Sequence, residues 1–600
     1  MNKSLAFTIY TQNIDSFKQQ LTLLKTKRTR IAWLRFLIFI ITILAVTETW
    51  HNALWVIIVI AVAGISGFLY VVSIDADSKE KIFNLEKLIQ INIEEINILQ
   101  HNYLYREHGN AFAPSHHFYA DDLDIVGKAS LFQYISRCTA EKSKQLLVNN
   151  LLKPSSKENI LLKQAAVKEL TSKIYWRQQL YAYGMANPLS SSTEERIKEW
   201  LKQSQIFTQT WWQWVAFLFP FISLSTVVLY LTDILDATFF YSLVFIFFVF
   251  AFSLSKKISA TWLLLSRIVP QVNTLYYQLN HLEKETFNNE FISTLKKELQ
   301  NKIGVTASKE ILLLKHILDR FDVRLNVLVF YFLNTFLLWD LWLTLALNKW
   351  KTKNRESTLN WFNVVAEIEV VSSFASLAFN QPHWCFPVIS DEFFTLNAKN
   401  IGHPLIAANK RMDNSFVMNG KGRIALITGS NMAGKSTFLR TLGVNTVLAL
   451  MGAPVCAEAF TVSCVQLISS MRIEDNLAEN TSTFYAELKK LQTIIEAVNR
   501  KERIFILLDE ILRGTNSFDR HTGSKALIKQ LLQQEAVAII ATHDVELASL
   551  QNDFPVAITN YHFDVQVTND ELFFDYKLKS GICKSLNASI LMKKIGINIS

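Results

Sequence analysis

A run of nine residues in the last third of the chain has the composition and spacing of a phosphate-binding loop. The run consists of Gly429, Ser430, Asn431, Met432, Ala433, Gly434, Lys435, Ser436 and Thr437, and it fits the pattern G-x-x-x-x-G-K-[ST]. In this pattern the glycines let the backbone fold around an anion, Lys435 reaches the terminal phosphates and Ser436 ligates magnesium. The residues before it, 423–428, predict a buried strand, and residues 437–450 predict a helix. This strand-loop-helix context favours a nucleotide site.

Polar side chains also follow two further apolar runs. Residues 504–508 read as a buried parallel strand that ends at Asp509 and Glu510, and residues 537–541 read as another that leads to His543. Asp509 is placed to hold magnesium, Glu510 to polarise the attacking water, and His543 to sense or stabilise the terminal phosphate. Alone, the acidic pair also fits a helix cap and the histidine a structural role. Because parallel strands present their carboxyl ends at one sheet edge, the three together favour a single ligand site.

These motifs, taken with others in the same order, resemble the MutS family of DNA mismatch repair ATPases. The matching segments are TGSNMAGKST at 428–437, NTSTFYAE at 480–487, DEILRGT at 509–515, ATH at 541–543, GHP at 402–404 and SFV at 415–417. The last two resemble the segment whose aromatic ring stacks on adenine in that family.

The resemblance implies a homodimeric ATPase that uses ATP and Mg²⁺ in composite sites. Ser482 and Thr483 of one subunit would approach the nucleotide held by the other, while Phe416 and Val417 would contact adenine. The implied fold class is a C-terminal α/β P-loop ATPase domain of the ABC type, similar to MutS. An all-α lever and core region with two transmembrane helical hairpins would precede it.

The chain departs from the family at several positions, among them Ser430 and Ala433 in the phosphate loop. Mismatch-sensing members carry an F-x-E motif in an N-terminal domain, and this sequence has none, so we expect no mismatch-specific contact. Leu512 stands where the family usually has glycine before R-G-T. DNA is therefore a candidate partner by analogy of fold alone.

Four apolar runs predict membrane helices. They cover residues 31–47, 54–74, 212–231 and 237–254, and Arg35 is the one charged residue within them. Each is close to the length that a spanning helix needs. Lysines and arginines flank both pairs on the outside, and the short links within the pairs carry none, so the positive-inside rule places the N-terminus and the ATPase domain in the cytoplasm. The alternative is that these runs are buried core helices.

A fifth apolar stretch, residues 326–347, contains Asp340. If it crossed the membrane, everything after it would lie outside the cell, away from ATP. We therefore expect a buried soluble helix there.

The composition agrees with a multidomain protein that has both membrane and soluble parts. The chain has 600 residues, of which 50% are hydrophobic, a formal net charge of +9 and a mean hydropathy of +0.18. The expected organisation is a basic helix at 1–30, a first transmembrane hairpin at 31–74, a cytoplasmic helical region at 75–211, a second hairpin at 212–255, a helical lever at 256–390 and the ATPase domain at 391–600.

Other functions remain open at this point. An ABC-type transporter also combines a cassette with membrane helices, but its L-S-G-G-Q signature is replaced here by S-T-F-Y-A-E. A scaffold that binds ATP without turnover is disfavoured by the intact Lys435, Asp509, Glu510 and His543. A mechanochemical ATPase that acts on a protein partner at the membrane remains as the alternative to a DNA-linked ATPase.

Overall fold

The computed structural model describes residues 5–50, 54–300, 304–430, 432–472, 483–568 and 571–583. Helices make up the part of the chain before the sheets. In chain order they are α1 (Leu5–Glu48), α2 (Leu54–Leu99), α3 (Leu131–Ile135), α4 (Glu141–Leu152), α5 (Lys157–Ser172), α6 (Ile174–Ala186), α7 (Ser191–Lys202), α8 (Trp211–Leu231), α9 (Ala237–Ser266), α10 (Val269–Lys284), α11 (Glu290–Glu298), α12 (Ala307–Phe321), α13 (Val327–Leu337), α14 (Trp339–Asn354) and α15 (Thr358–Asn380).

The C-terminal part alternates strands and helices. Its elements are β1 (Val388–Ser390), β2 (Thr395–Ile401), β3 (Asn414–Asn419), β4 (Ile424–Thr428), α16 (Lys435–Leu450), β5 (Ala459–Ser463), β6 (Gln466–Ser470), α17 (Thr483–Asn499), β7 (Ile504–Asp509), α18 (Ser517–Gln533), β8 (Val537–Thr542), α19 (Leu550–Asp553), β9 (Ile558–Thr568) and β10 (Glu571–Ser580).

The chain divides into two compact units, each described by itself. The first combines Met1–Asn102 with Ile174–Ala186 and therefore contains α1, α2 and α6. Within it, Asn13 hydrogen-bonds to Asn92, and Asp75 pairs with both Arg28 and Arg35, at 2.9 and 3.4 Å. These contacts make α1 and α2 antiparallel, and they supply a partner for the charge of Arg35.

Two expected boundaries in this unit fall within continuous helices. The basic helix and the first apolar run form one continuous helix, α1, because residues 5–48 contain neither glycine nor proline. The second apolar run likewise continues to Leu99 in α2. The expected divisions after residues 30 and 74 thus fall inside helices, and α6 packs with the C-terminal part of α2 within this unit.

The second unit, Tyr103–Lys173 with Asn187–Ser600, contains both sheets. The larger sheet has the order β10-β9-β4-β8-β7-β6, parallel throughout except for the β9–β10 pair. Every residue of β4, β7 and β8 is buried, as expected for parallel strands that are covered on both faces. A smaller sheet has the strand order β1-β5-β2-β3. Its strands β1, β2 and β3 come from residues 388–419, and β5 comes from residues 459–463. The strands predicted at 423–428, 504–508 and 537–541 are confirmed.

Several helices are long and apolar enough to cross a membrane, judged by length and composition. Among the described residues these are α1, α2, α8, α9 and α15, together with the bent pair α13 and α14. In α15 the apolar window is 83% buried within the protein, whereas in α1, α2, α8 and α9 it is at most 17% buried. The four predicted membrane helices therefore expose their apolar side chains, and α15 is a core helix.

The expectation for residues 326–347 is wrong. Leu338 adopts a left-handed conformation, with a φ of 46°, and breaks the stretch into α13 and α14, which are bent by 79°. Only α14 is a buried helix, with Leu341, Leu347 and Trp350 in the core. α13 leaves large apolar side chains exposed.

Candidate functional site

The glycine-rich loop connects β4, near the middle of the larger sheet, to α16. Gly429 has a φ of 149°, and an added Cβ would lie 2.8 Å from the Phe563 carbonyl oxygen. Gly434 has a φ of 104° and precedes the first turn of α16. Only glycine adopts both conformations without strain, so the two positions fix the path of the loop. Asn431 lies outside the described residues.

The side chain of Lys435 lies inside this loop and hydrogen-bonds to its backbone. Its side chain is buried, and Nζ donates hydrogen bonds to the carbonyl oxygens of Gly429 at 2.8 Å and Ser430 at 2.9 Å. The same atom lies 3.5 Å from Nδ1 of His543. Burial lowers the pKa of Lys435 to about 8, against the opposing effect of Asp509 and Glu510. An anion in the loop would therefore meet a lysine that is already positioned and poorly solvated.

Asp509 ends β7 beside the first turn of α16. Its carboxylate accepts a hydrogen bond from the Ser436 hydroxyl, and burial raises its pKa. One of its oxygens, Oδ1, is buried without a hydrogen-bond partner among the described residues. A carboxylate oxygen next to a hydroxyl is a donor set that suits Mg²⁺, which prefers oxygen ligands.

Glu510 and His543 meet directly. Oε1 of Glu510 lies 2.5 Å from Nε2 of His543, and Oε2 lies 2.7 Å from Nε of Arg513. The hydrogen bond to His543 holds the pKa of Glu510 below its usual range, with Arg513 and Lys435 acting in the same direction. Glu510 is thus an ionised carboxylate with both oxygens paired.

A cavity of about 430 Å³ opens beside the loop, a size typical of small-ligand pockets. Besides loop residues it is lined by Ile406, Met412 and Tyr576, which supply an apolar side, and by His403 and Arg411. Burial lowers the pKa of His403 to about 4, so this imidazole is neutral at pH 7. Sequence reasoning included His403 in the GHP segment at 402–404 but missed the other four residues, most of which follow that segment closely.

The expected adenine contact of Phe416 and Val417 stays a prediction, and neither residue lines this cavity. Phe416 does not line the cavity; it is buried, and its ring packs against those of Phe438 at 5.8 Å and Tyr561 at 5.4 Å. Val417, the next residue along β3, points the opposite way and is exposed. Because side chains alternate across a strand, Phe416 belongs to the core face of β3.

The expected in-trans signature lies at the edge of the described chain. Ser482 is outside the described residues, and Thr483 begins α17. Further along this helix, buried Glu487 accepts a hydrogen bond from the backbone N–H of Leu512. Glu487 therefore fastens α17 to the turn that follows Glu510.

Leu512 takes a glycine-like conformation in that turn. Its φ is 60°, yet its side chain is buried with Leu527 and Ile528 in the core between the sheet and α18. Leucine at this position thus strains the backbone more than glycine would, but it adds a side chain to the apolar core.

An aspartate-rich turn before α3 reaches the same part of the domain. Asp122 is buried and accepts hydrogen bonds from the Ser469 hydroxyl at 2.7 Å, the Arg472 backbone N–H at 2.9 Å and Lys490 Nζ at 2.7 Å. Asp124 pairs with Arg472 at 2.7 Å. The turn therefore joins β6, the residue before the undescribed segment 473–482, and α17.

Comparison with known proteins agrees with this geometry. Residues 425–595 match the family model for MutS domain V, and the matched range contains the loop, Asp509, Glu510 and His543. Over this range the chain is similar to domain V of MutS proteins. The helices α1 to α15 lie outside the matched range.

Three relatives illustrate the extent of the similarity. The DNA mismatch repair protein MutS of Natronomonas pharaonis is 32% identical over 228 residues, which are 37% of this chain and 26% of the relative. That of Ehrlichia ruminantium (strain Gardel) is 36% identical over 191 residues, 31% and 23% of the two chains. MutS protein homolog 4 of Mus musculus is 31% identical over 236 residues, 38% and 24% of the two chains. The chain thus spans about a quarter of the length of the MutS relatives that it matches.

Proposed function

We propose that this chain is an ATPase that hydrolyses ATP at the glycine-rich loop of its MutS domain V. One observation carries the proposal: Lys435, Asp509, Glu510 and His543 come from three strand ends and converge on that loop. Phosphoryl transfer requires little covalent chemistry from the protein, so positioning and charge at such a point account for most of the catalysis.

Each residue has a role in this scheme. Lys435 and the loop N–H groups bind the phosphates. Ser436 and Asp509 would hold Mg²⁺, which would supply positive charge next to the phosphate oxygens. Glu510, kept ionised, polarises the attacking water. His543 exchanges its bond to Glu510 for one to the terminal phosphate, which frees an oxygen of the base.

ATP turnover by the purified full chain tests this proposal. Lys435→Met should reduce phosphate release at least ~100-fold, because it removes a preorganised charge from the transition state. Lys421→Met is the matched control, since Lys421 is exposed and its Nζ lies 3.8 Å from the carboxylate of Glu535, which is also exposed. Equal turnover in the wild type and Lys435→Met would refute the assignment.

We further propose that the protein is anchored in a membrane by four helices, α1, α2, α8 and α9, with the ATPase domain and the N-terminus in the cytoplasm. Support comes from the exposed apolar side chains of these helices and from the cations at their outer ends.

Thiol labelling in intact cells tests this topology. A cysteine introduced as Asp233→Cys, in the link between α8 and α9, should react with an impermeant maleimide in intact cells, while the five native cysteines should not. After permeabilisation the partly buried Cys385, Cys464 and Cys583 should become the reactive native thiols. Protection of residue 233 in intact cells, with extraction of the protein by alkaline carbonate, would contradict membrane insertion.

We also propose a homodimer whose sites are completed by Ser482 and Thr483 of the second copy, and DNA as the partner that reads the ATP state. The names of the relatives, DNA mismatch repair proteins, support the DNA proposal. Binding to duplex and branched DNA at several salt concentrations tests it, because neutralising phosphates makes affinity fall steeply with salt. Turnover and binding indifferent to DNA would favour a protein partner at the membrane.

A further inference from the structure

α13 is an apolar helix with an exposed outer face. Val327, Leu328 and Phe332 are 58%, 83% and 62% exposed, and residues 327–337 contain no charged side chain. Single exposed apolar residues are ordinary, but a contiguous face of this kind marks an interaction surface.

The inner face of α13 packs on the hairpin of α8 and α9. Asn334 donates to the Ala251 carbonyl oxygen at 3.5 Å, and Ser223 donates to the Phe336 carbonyl oxygen at 2.5 Å. The Tyr331 ring lies 5.7 Å from that of Phe248. Polar groups of α13 are thus satisfied on the hairpin side, and the outer face continues the exposed apolar surface of α9.

A buried ion pair fixes both ends of α13. Arg324, just before it, donates to Asp340, just after it, with Nε 2.9 Å from Oδ1 and Nη2 2.5 Å from Oδ2. Asp340 is 1% exposed, and Arg324 Nη2 also bonds to the Ser255 hydroxyl of α9 at 2.9 Å. The pair therefore holds the residues before and after α13 close to Ser255 of α9.

The length and direction of α13 exclude a crossing. Eleven residues of helix extend about 16 Å, whereas the hydrocarbon core is about 30 Å thick. After the 79° bend at Leu338, α14 runs into the protein core. A helix that cannot cross, yet presents apolar side chains beside a membrane hairpin, can be accommodated in the plane of the interface.

We infer that α13 is a monotopic membrane helix, whose outer face is embedded among lipid acyl chains on the cytoplasmic side of the bilayer. The inference rests on the proposed insertion of α8 and α9. A lipid occupant is favoured over a second protein because the exposed surface of α13 is continuous with that of α9 through Tyr331, Phe248 and Phe252.

Spin labels in proteoliposomes of the full chain test this inference. In a background without the five native cysteines, nitroxides are placed at Leu328→Cys and Phe332→Cys on α13, at Ile246→Cys on α9 and at Leu313→Cys on α12. All four side chains are exposed, which makes them matched reporters. Collisions with oxygen should exceed those with a water-soluble nickel complex at 328, 332 and 246, with 246 deepest, and the reverse should hold at 313.

The outcomes separate the two proposals. Nickel-accessible labels at 328 and 332 with a lipid-exposed label at 246 would overturn the inference and leave the membrane anchor intact. Nickel access at 246 as well would overturn both. Dipolar broadening at 328 that grows with protein density would identify a contact between copies and would also overturn the inference.

A photo-cross-linking amino acid at position 328 in the native-cysteine chain provides a second measurement. Lipid adducts are expected there and none at position 313. Adducts at 328 that contain only protein would count against a lipid occupant.

Discussion

The protonation of Lys435 should make ATP binding depend on pH. Burial lowers its pKa to about 8 in the protein without nucleotide, so at pH 8 about half of the molecules carry a neutral amine. Phosphates favour the charged form and raise this pKa on binding. ATP binding should therefore take up a proton near pH 8, and affinity should be highest below pH 8 and fall as the pH rises towards 9.

Calorimetry in buffers of different ionisation enthalpy measures this proton uptake. Lys435→Arg is the control, because arginine stays charged throughout the range and should remove the uptake. Affinity that is constant between pH 7 and 9 in the wild type would contradict the coupling.

Leu512 provides a second test at the residue scale. Leu512→Ala should destabilise the domain by about 2–4 kcal/mol through lost packing. Leu512→Gly loses the same packing but relieves the left-handed backbone, which costs about 1–2 kcal/mol for other residues. Glycine should therefore be more stable than alanine here, which thermal denaturation of the two variants can measure. If Leu512→Ala were instead more stable than Leu512→Gly, the turn would have relaxed out of the left-handed conformation.

At this scale the sequence predicts strand-end residues well and cavity walls poorly. Lys435, Asp509, Glu510 and His543 each follow a continuous apolar run, so parallel pairing brings them to one edge. Phe416 could not be placed in the same way, because the face of β3 on which it lies depends on register, and a shift by one residue reverses it.

At the scale of elements, the turn at Asp122 links the helical region to the ATPase domain. Asp122→Asn removes a buried charge that Lys490, Ser469 and Arg472 share, and it should destabilise the domain by about 3 kcal/mol. It should also lower the maximal rate of ATP turnover more than ATP affinity, because α17 leads to the predicted in-trans signature.

Asp391→Asn is the control for this prediction. Asp391 pairs with Lys157 at 2.5 Å but is largely exposed, so its loss should cost less than about 1 kcal/mol. Equal effects of the two substitutions on stability, with unchanged turnover, would contradict a linking role for Asp122.

Element boundaries show why apolar pattern alone is insufficient. The runs in α1, α2, α8 and α9 were predicted because they are long, whereas the break between α13 and α14 was not. The left-handed turn at Leu338 depends on the Arg324–Asp340 pair and its partner on α9, which are contacts distant in sequence. α15 is long and apolar enough to span a membrane but is covered by its neighbours.

At the scale of the whole molecule, the proposed homodimer should form when ATP is bound and not hydrolysed. Glu510→Gln with ATP should therefore shift the detergent-solubilised protein to twice the protomer mass in sedimentation. A double variant, Lys435→Met with Glu510→Gln, should remain in the form seen without ATP. Identical sedimentation of both proteins, with and without ATP, would contradict composite sites.

The most direct measurement of the central claim is a single turnover of ATP by the full chain in proteoliposomes, compared with Glu510→Gln. The wild type should convert bound ATP to ADP and phosphate. Glu510→Gln should bind ATP with similar affinity and lose about 10²–10⁴-fold in the rate of hydrolysis, since the amide cannot polarise the water. Undiminished hydrolysis by Glu510→Gln, or failure of the wild type to bind ATP, would contradict an ATPase site at this loop.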